Sequence, residues 1–100
     1  MALKLRFDDQ AKRDLVGIRT YLIAHANEVL AERVRAHLRT RFKRLCQNPN
    51  IGVLSANPRI RVLAPARYPY RIYYGVVGDA LVVLHVRYTA CRDPDLNDLR

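Results

Sequence analysis

The segment YPYRIYYGVVGDALVVLHVRY, residues 68–88, constrains the fold most, because it has the pattern of two β-strands joined by a tight turn. Two runs rich in Tyr, Ile and Val flank the dipeptide Gly78-Asp79, which is a strong signal for a two-residue hairpin turn. We therefore expect a β-hairpin here, and the other elements have to pack against it.

Polar side chains interrupt the apolar pattern of both strands. Because side chains alternate between the two faces of a strand, Arg71 and Tyr73 share one face of the first strand, and His85 and Arg87 share one face of the second. We expect these four to lie together on the face away from the helices. The second strand offers an apolar set for the helix side: Val82, Leu84, Val86 and Tyr88. The polar group either faces water or binds an anion, with arginine for phosphate and histidine for proton transfer.

Upstream of the hairpin, the pattern predicts one strand and two helices. Residues 2–7 alternate apolar and basic side chains, as in a half-buried strand. Asp8 and Asp9 supply an N-cap and early negative charge for an amphipathic helix over residues 11–24. A second amphipathic helix follows over residues 28–46, and the short connection between the two predicts an antiparallel helical hairpin.

Pro49 and Gly52 end the second helix, and residues 59–63 form a further strand candidate before the hairpin. The predicted fold class is α+β, with the order β-α-α-β-β-β and the helical hairpin packed on one face of a small antiparallel sheet. At this length we expect a single domain over residues 1–100.

The net charge of +9 arises from 15 Arg and 3 Lys against 9 acidic residues. Such a surface suits an acidic or polyanionic partner, and arginine favours bidentate contacts with phosphate or carboxylate. Solubility alone is the competing explanation. The exterior of the second helix is especially basic, which indicates either a binding surface or a solvated face. Its cations are Arg33, Arg35, Arg39, Arg41, Lys43 and Arg44.

Cys46 and Cys91 stand alone, with no Cys or His spaced as in a metal site. We expect no metal, no cofactor and a reducing, cytoplasmic environment. The sequence has no apolar run of membrane-spanning length, so no membrane association is expected.

Four segments in order resemble the RelE/ParE superfamily of bacterial type II toxins. AKRDLVGIRTYL is similar to the pattern of the first helix, and LCQNPNIG to the stop after the second. YPYRIYYGV and VLHVRYTACRDP resemble the two closing strands and the segment after them. The resemblance covers nearly the whole chain and is closer to the ParE branch.

The resemblance implies a toxin that a cognate antitoxin neutralises, with an extended antitoxin segment wrapped around the toxin. It implies a hetero-oligomer that contacts operator DNA indirectly, through the antitoxin. A member that has lost toxicity and acts only as an autoregulating partner of its antitoxin is a further alternative.

The superfamily has two principal activities, and the resemblance favours inhibition of DNA gyrase. Its candidates for target or antitoxin contact are Arg71, Tyr73, His85, Arg87 and Arg92.

The alternative is a RelE-like endoribonuclease that cleaves mRNA on the ribosome. Its catalytic candidates would be Arg71, His85, Tyr88 and Arg92. RelE-like nucleases place an arginine at the position resembling Arg71. They also use a catalytic Tyr or His-Tyr pair beyond the last strand or a lysine set near the middle of the chain, whereas Thr89 and Ala90 follow the strand here. The nuclease set is therefore incomplete.

Overall fold

A computed structural model describes residues 2–90 of the chain. In that range two helices and five strands follow one another: β1 (Lys4–Phe7), α1 (Asp9–His25), α2 (Glu28–Gln47), β2 (Val53–Leu54), β3 (Arg61–Leu63), β4 (Tyr70–Val77) and β5 (Ala80–Tyr88). The predicted α+β architecture is confirmed, with β2 as a short additional strand. Cys91, Arg92 and the acidic tail over 93–100 lie outside the described residues.

Side-chain caps set the start of both helices. Asp8 is the N-cap of α1 and accepts a hydrogen bond from the Gln10 amide, as expected for an aspartate before a helix. Asn27 caps α2 by accepting from the Leu30 amide at 2.8 Å. The two helices are thus separated only by Ala26 and Asn27, which confirms the helical hairpin. Neither α1 nor α2 combines the length and the apolarity needed to span a membrane.

The five strands form one sheet in the order β1-β5-β4-β3-β2. The pairs from β2 to β5 are antiparallel, whereas β1 pairs with β5 in parallel. The sheet is therefore mixed rather than wholly antiparallel as predicted. After β1, the helical hairpin carries the chain to the opposite edge of the sheet, where β2 lies. The last strand, β5, then lies beside β1 and runs in the same direction.

A β-bulge divides the β4–β5 hairpin. At the turn Val77 pairs with Ala80, and Gly78 has a φ of 60°, which confirms the predicted two-residue connection. Further along, Tyr74 pairs with Val83 and Tyr73 pairs with His85, so Leu84 is an extra residue without a partner in β4. Beyond the bulge, every β5 residue is displaced by one position in the pairing.

The helices cover one face of the sheet, here called the inner face, and the main core lies between them. It combines the apolar stripe of α2 with alternate residues of β4 and β5. Its largest buried members include Phe42, Leu45, Ile72, Tyr74, Leu81 and Val83. On the opposite, outer face a smaller cluster forms around Ile60, Tyr73 and Leu84, with Val62 and Val82 against it.

These clusters correct the prediction for the helix side of β5. Val82 and Leu84 pack on the outer face, while Leu81 and Val83 join the main core with Val86. The cause is the bulge, which places both Leu84 and His85 on the outer face and so breaks the strict alternation of the strand.

One edge of β5 is paired over only half of its length. β1 covers Ala80 to Val83, and beyond that point the Val86 amide donates to the Asp14 carboxylate of α1 at 3.0 Å. Asp14 also accepts from the Gln10 side chain at 2.8 Å. A helix side chain therefore satisfies a backbone donor that β1 does not reach.

The loop between α2 and β2 is fixed to the sheet by a buried tyrosine. The Tyr74 hydroxyl donates to the Pro49 carbonyl at 2.6 Å and accepts from the Gly52 amide at 2.9 Å. Burial raises the pKa of Tyr74, while the Gly52 hydrogen bond and the nearby Arg61 act in the opposite direction. Arg61 donates to the Gly52 carbonyl at 2.8 Å, which fixes the same turn from β3.

Gly52→Ala tests this close approach. A Cβ at position 52 would lie 2.6 Å from the Tyr74 hydroxyl oxygen and 3.0 Å from the Val62 carbonyl oxygen. We expect the free energy of unfolding to fall by about 1–3 kcal/mol because the ring and the backbone are both held in place. Urea denaturation measures the loss.

The matched control is Gly17→Ala, since a Cβ there would meet nothing within 4 Å. Within α1 it should raise the free energy of unfolding by about 0.5–1 kcal/mol through helix propensity. Equal effects of the two substitutions would contradict the close approach at Gly52.

Candidate functional site

Two arginines face each other across the outer surface of the hairpin. Arg71 of β4 pairs with Arg87 of β5, and both side chains are half-buried. Among residues 2–90, the ion pairs involve neither of them, and the buried Nε of Arg87 has no hydrogen-bond partner there. Like charges directly opposite on a sheet are destabilising, so this outer arginine pair is suited to an anion supplied from outside.

Tyr73 and His85 lie next to the outer arginine pair. They pair across the two strands, and their rings meet edge to face with centroids 6.0 Å apart. His85 is half-buried, whereas Tyr73 is only 3% exposed and packs with Ile60 and Leu84. Tyr73 is therefore a packing residue beneath the site. His85 and the two arginines provide the surface that a partner can contact.

The structure places Arg71, Tyr73, His85 and Arg87 on one face, as the sequence predicts. It separates Tyr88 from them: Tyr88 pairs with Tyr70, and their rings meet edge to face at 5.9 Å on the helix side of the sheet. Arg92 lies outside the described residues. The nuclease candidates His85 and Tyr88 thus occupy opposite faces, so these two cannot serve one phosphate together.

A groove of about 600 Å³ opens where Tyr88 lies, between α1 and the end of the hairpin. We call it the tyrosine groove, since its walls include Tyr21, Tyr68, Tyr70 and Tyr88. Burial raises the pKa of Tyr70, and the neighbouring Tyr88 and Tyr21 raise it further, so its hydroxyl stays neutral. The groove is mostly apolar, and its walls also include Arg13, Asp14 and Arg87. Such a surface suits a protein segment with both apolar and charged side chains.

A second apolar groove, of about 540 Å³, lies between α1, α2 and β1. Phe7, Leu15, Ile18 and Leu38 are among its lining residues. Both grooves were missed in the sequence analysis. The tyrosine groove has no clear signal in the sequence, because Tyr70 meets Tyr88 only through the bulge at Leu84.

The described residues contain no group of three His, Cys, Asp or Glu side chains placed to hold a metal ion. Cys46 is buried in the main core, and burial raises the pKa of its thiol, so it stays protonated and takes part in packing. The chemistry of the outer face is therefore that of cations and a histidine: anion binding, with one group able to exchange a proton.

The chain matches a known protein family over most of its length. Residues 5–91 match the model of the ParE toxin of the type II toxin-antitoxin system parDE. The match spans most of the chain and includes both helices, strands β2 to β5, and β1 except for its first residue. The chain therefore belongs to the ParE toxin family, a branch of the RelE/ParE superfamily.

Solved structures share the fold at low sequence identity. A chain of the chromosomal ParDE TA system from P. aeruginosa superposes with a TM-score of 0.76 and 22% identity, covering 87% of this chain and 96% of that one. E. coli toxin RelE, as a free double arginine-to-alanine mutant, gives 0.68 and 20%, covering 90% and 86%. The RelBE2 complex from Mycobacterium tuberculosis gives 0.60 and 20%, covering 88% and 99%. No curated protein sequence matches the chain.

We expect the outer arginine pair to lower the free energy of unfolding. We expect Arg71→Gln and Arg87→Gln each to raise the free energy of unfolding by about 0.5 kcal/mol at low salt, because either one removes the repulsion between strands. The double variant should gain less than the sum of the two, since the repulsion can be removed only once. Urea denaturation of the four proteins, repeated at high salt, measures this coupling.

Arg39→Gln on the exposed surface of α2, combined with Arg71→Gln, provides the control and should be additive. Additivity of Arg71→Gln with Arg87→Gln as well would show that the two guanidinium groups do not repel each other.

Proposed function

We propose that this chain is the cytoplasmic toxin of a type II toxin-antitoxin pair and that it inhibits DNA gyrase by binding rather than by its own catalysis. The family match supports the first part. The observation that carries the second part is the division of polar groups between the faces of the sheet. Arg71, Arg87 and His85 lie outside, Tyr88 lies on the helix side, and Tyr73 is buried.

Cleavage of RNA requires a base and an acid that converge on one phosphate, with cations to stabilise the transition state. In this arrangement the outer face offers the cations and one titratable group, and Thr89 and Ala90 follow β5. A surface with two guanidinium groups that form no ion pair within residues 2–90 is suited to binding but lacks the second proton-transfer group that general acid-base catalysis needs. This favours an inhibitor that acts through contact with its target.

The two grooves beside the helices suit the cognate antitoxin as a partner. Two apolar grooves border the helices, and the chain carries a net charge of +9. An acidic segment with apolar anchors would bury its side chains in the grooves and gain favourable electrostatics at their edges. The fold is shared with chains of ParDE and RelBE systems, which agrees with a hetero-oligomer that reaches operator DNA through the antitoxin.

A ribosome-dependent mRNA endoribonuclease is the second candidate. Arg71 and His85 lie on one half-buried face, and the fold is similar to that of E. coli toxin RelE. Arg71 would hold the phosphate and His85 would transfer the proton in that case. The two candidate functions differ in their target. The first inhibits gyrase, and the second cleaves translated mRNA.

The experiment is supercoiling of relaxed plasmid by purified gyrase in the presence of antitoxin-free toxin. We expect inhibition, accumulation of linear DNA after detergent treatment, and reversal by the antitoxin. Arg71→Ala with Arg87→Ala should raise the half-inhibitory concentration at least about tenfold, because each arginine supplies charge-assisted hydrogen bonds.

Arg35→Ala with Arg39→Ala is the matched control, since it removes the same charge from the exposed surface of α2. It should leave inhibition nearly unchanged. Folding of each variant is checked by circular dichroism and by urea denaturation.

The same samples are added to a cell-free translation reaction. Cuts within codons of translated mRNA, together with unimpaired gyrase, would establish the nuclease instead. No effect in either assay from a folded sample would show a member that is no longer toxic to these targets.

A further inference from the structure

One flank of α2 carries a row of cations that the proposed function does not use. Arg33, His37, Arg41 and Arg44 follow one another at spacings of four, four and three residues, so they lie along the same side of the helix. We call Arg33, Arg41 and Arg44 the arginine row. Arg33 and Arg44 are exposed, and Arg41 is half-buried.

The loop over residues 64–69 is fixed against this flank by two side chains of α2. Arg41 donates to the Ala64 carbonyl at 2.6 Å, and the Nε2 atom of His37 donates to the Ala66 carbonyl at 2.7 Å. The His37 ring also meets the Tyr68 ring edge to face, with centroids 5.2 Å apart. These contacts fix the loop in place, so that its surface continues the surface of α2.

Arg67 lies at the centre of this loop in a left-handed backbone conformation, with a φ of 65°. A residue with a side chain adopts this conformation only at a cost in free energy, so the surrounding contacts must hold it there. Its guanidinium lies over the Tyr68 ring, 5.5 Å from the centroid. Because Tyr68 contacts His37, Arg67 brings a fourth guanidinium, which is exposed, beside the arginine row.

The positive charge of this flank is not neutralised within residues 2–90. The acidic residues of α2, Glu28 and Glu32, pair with Arg19, and Glu32 pairs with Arg35, all on the other flank. No ion pair of the described chain involves Arg33, Arg41, Arg44 or Arg67. Burial lowers the pKa of Arg41, and the neighbouring Arg44 lowers it further, as expected where cations repel one another.

We propose that the arginine row and Arg67 form a binding surface for the phosphate backbone of duplex DNA. From Arg33 to Arg44 the helix extends for about 16 Å, which equals the rise of about five base pairs along the axis of a DNA duplex. Arginine is suited to phosphate because its planar fork can bind two oxygens at once.

The surroundings of the row favour a duplex over a single strand. Single-stranded nucleic acids are held largely by stacking of their bases on exposed aromatic rings. The aromatic ring beside the row is Tyr68, whose surroundings are already occupied by Arg67 and the His37 ring. A duplex needs no such platform, because its phosphates alone supply the contacts.

This surface is separate from the outer arginine pair, since α2 packs on the inner face of the sheet. Through this surface the toxin binds DNA directly, in addition to any contact that the antitoxin makes. It goes beyond the proposed function, and gyrase inhibition and DNA binding can each succeed or fail without the other.

Fluorescence anisotropy with a short labelled DNA duplex and antitoxin-free toxin tests the surface. The variant Arg33→Ala/Arg44→Ala/Arg67→Ala removes three charges and leaves the His37 and Arg41 hydrogen bonds intact. We expect Kd to rise at least about tenfold, and the slope of log K against log salt to fall by about 2.7, at roughly 0.9 for each phosphate contact.

The matched control is Arg35→Ala/Arg39→Ala/Lys43→Ala, which removes the same charge from the opposite flank of α2. Its Kd should change by less than about threefold. Equal weakening by the two triple variants would overturn the proposal, because net charge alone would then explain binding. Wild-type toxin that binds no duplex DNA at low salt would overturn it as well.

Single-stranded DNA and duplex RNA of the same length serve as competing probes. Tighter binding of either one than of duplex DNA would assign the flank to a different nucleic acid. Circular dichroism and urea denaturation confirm that both triple variants are folded.

Discussion

The extra residue in β5 is the constraint on which both surfaces of the sheet depend. A two-residue turn at Gly78-Asp79 would, in an unbroken ladder, bring Arg71 opposite Val86 and leave Arg87 on the other face. The bulge at Leu84 moves the pairing by one position, so that Arg71 meets Arg87 outside and Tyr70 meets Tyr88 inside. One inserted residue therefore brings two arginines together on one face of the hairpin and two tyrosines together on the other.

The sequence predicts the elements better than it predicts their pairing. Helix starts at Asp8 and Asn27 depend on local hydrogen bonds, and the buried stripe of α2 depends on helical spacing, so both can be read from neighbouring residues. The parallel pairing of β1 with β5 depends on how distant segments meet, which no local pattern contains. The resemblance of four segments indicated the toxin family, and the match over residues 5–91 confirms it.

The strand pairing at the candidate site is likewise not contained in any local sequence pattern. The shared face of Arg71, Tyr73, His85 and Arg87 was expected from alternation together with the two-residue turn, yet these two expectations are compatible only if one strand has an extra residue. Nothing in the composition of β5 marks Leu84 as that residue, since it is as apolar as its neighbours. The burial of Tyr73 was missed for a related reason, because the loop residue Ile60 that covers it belongs to no regular strand.

The pairing of β1 with β5 has a consequence for how the chain is made. The helical hairpin relies on contacts close in sequence and can form as soon as α2 has been synthesised, but β1 finds its partner only in residues 80–83. The Asp14 carboxylate likewise waits for Val86, 72 positions further along the chain. Such distant contacts are slow to form and come last on the ribosome. The sheet that carries the outer arginine pair is therefore completed only after the whole β4–β5 hairpin has been synthesised.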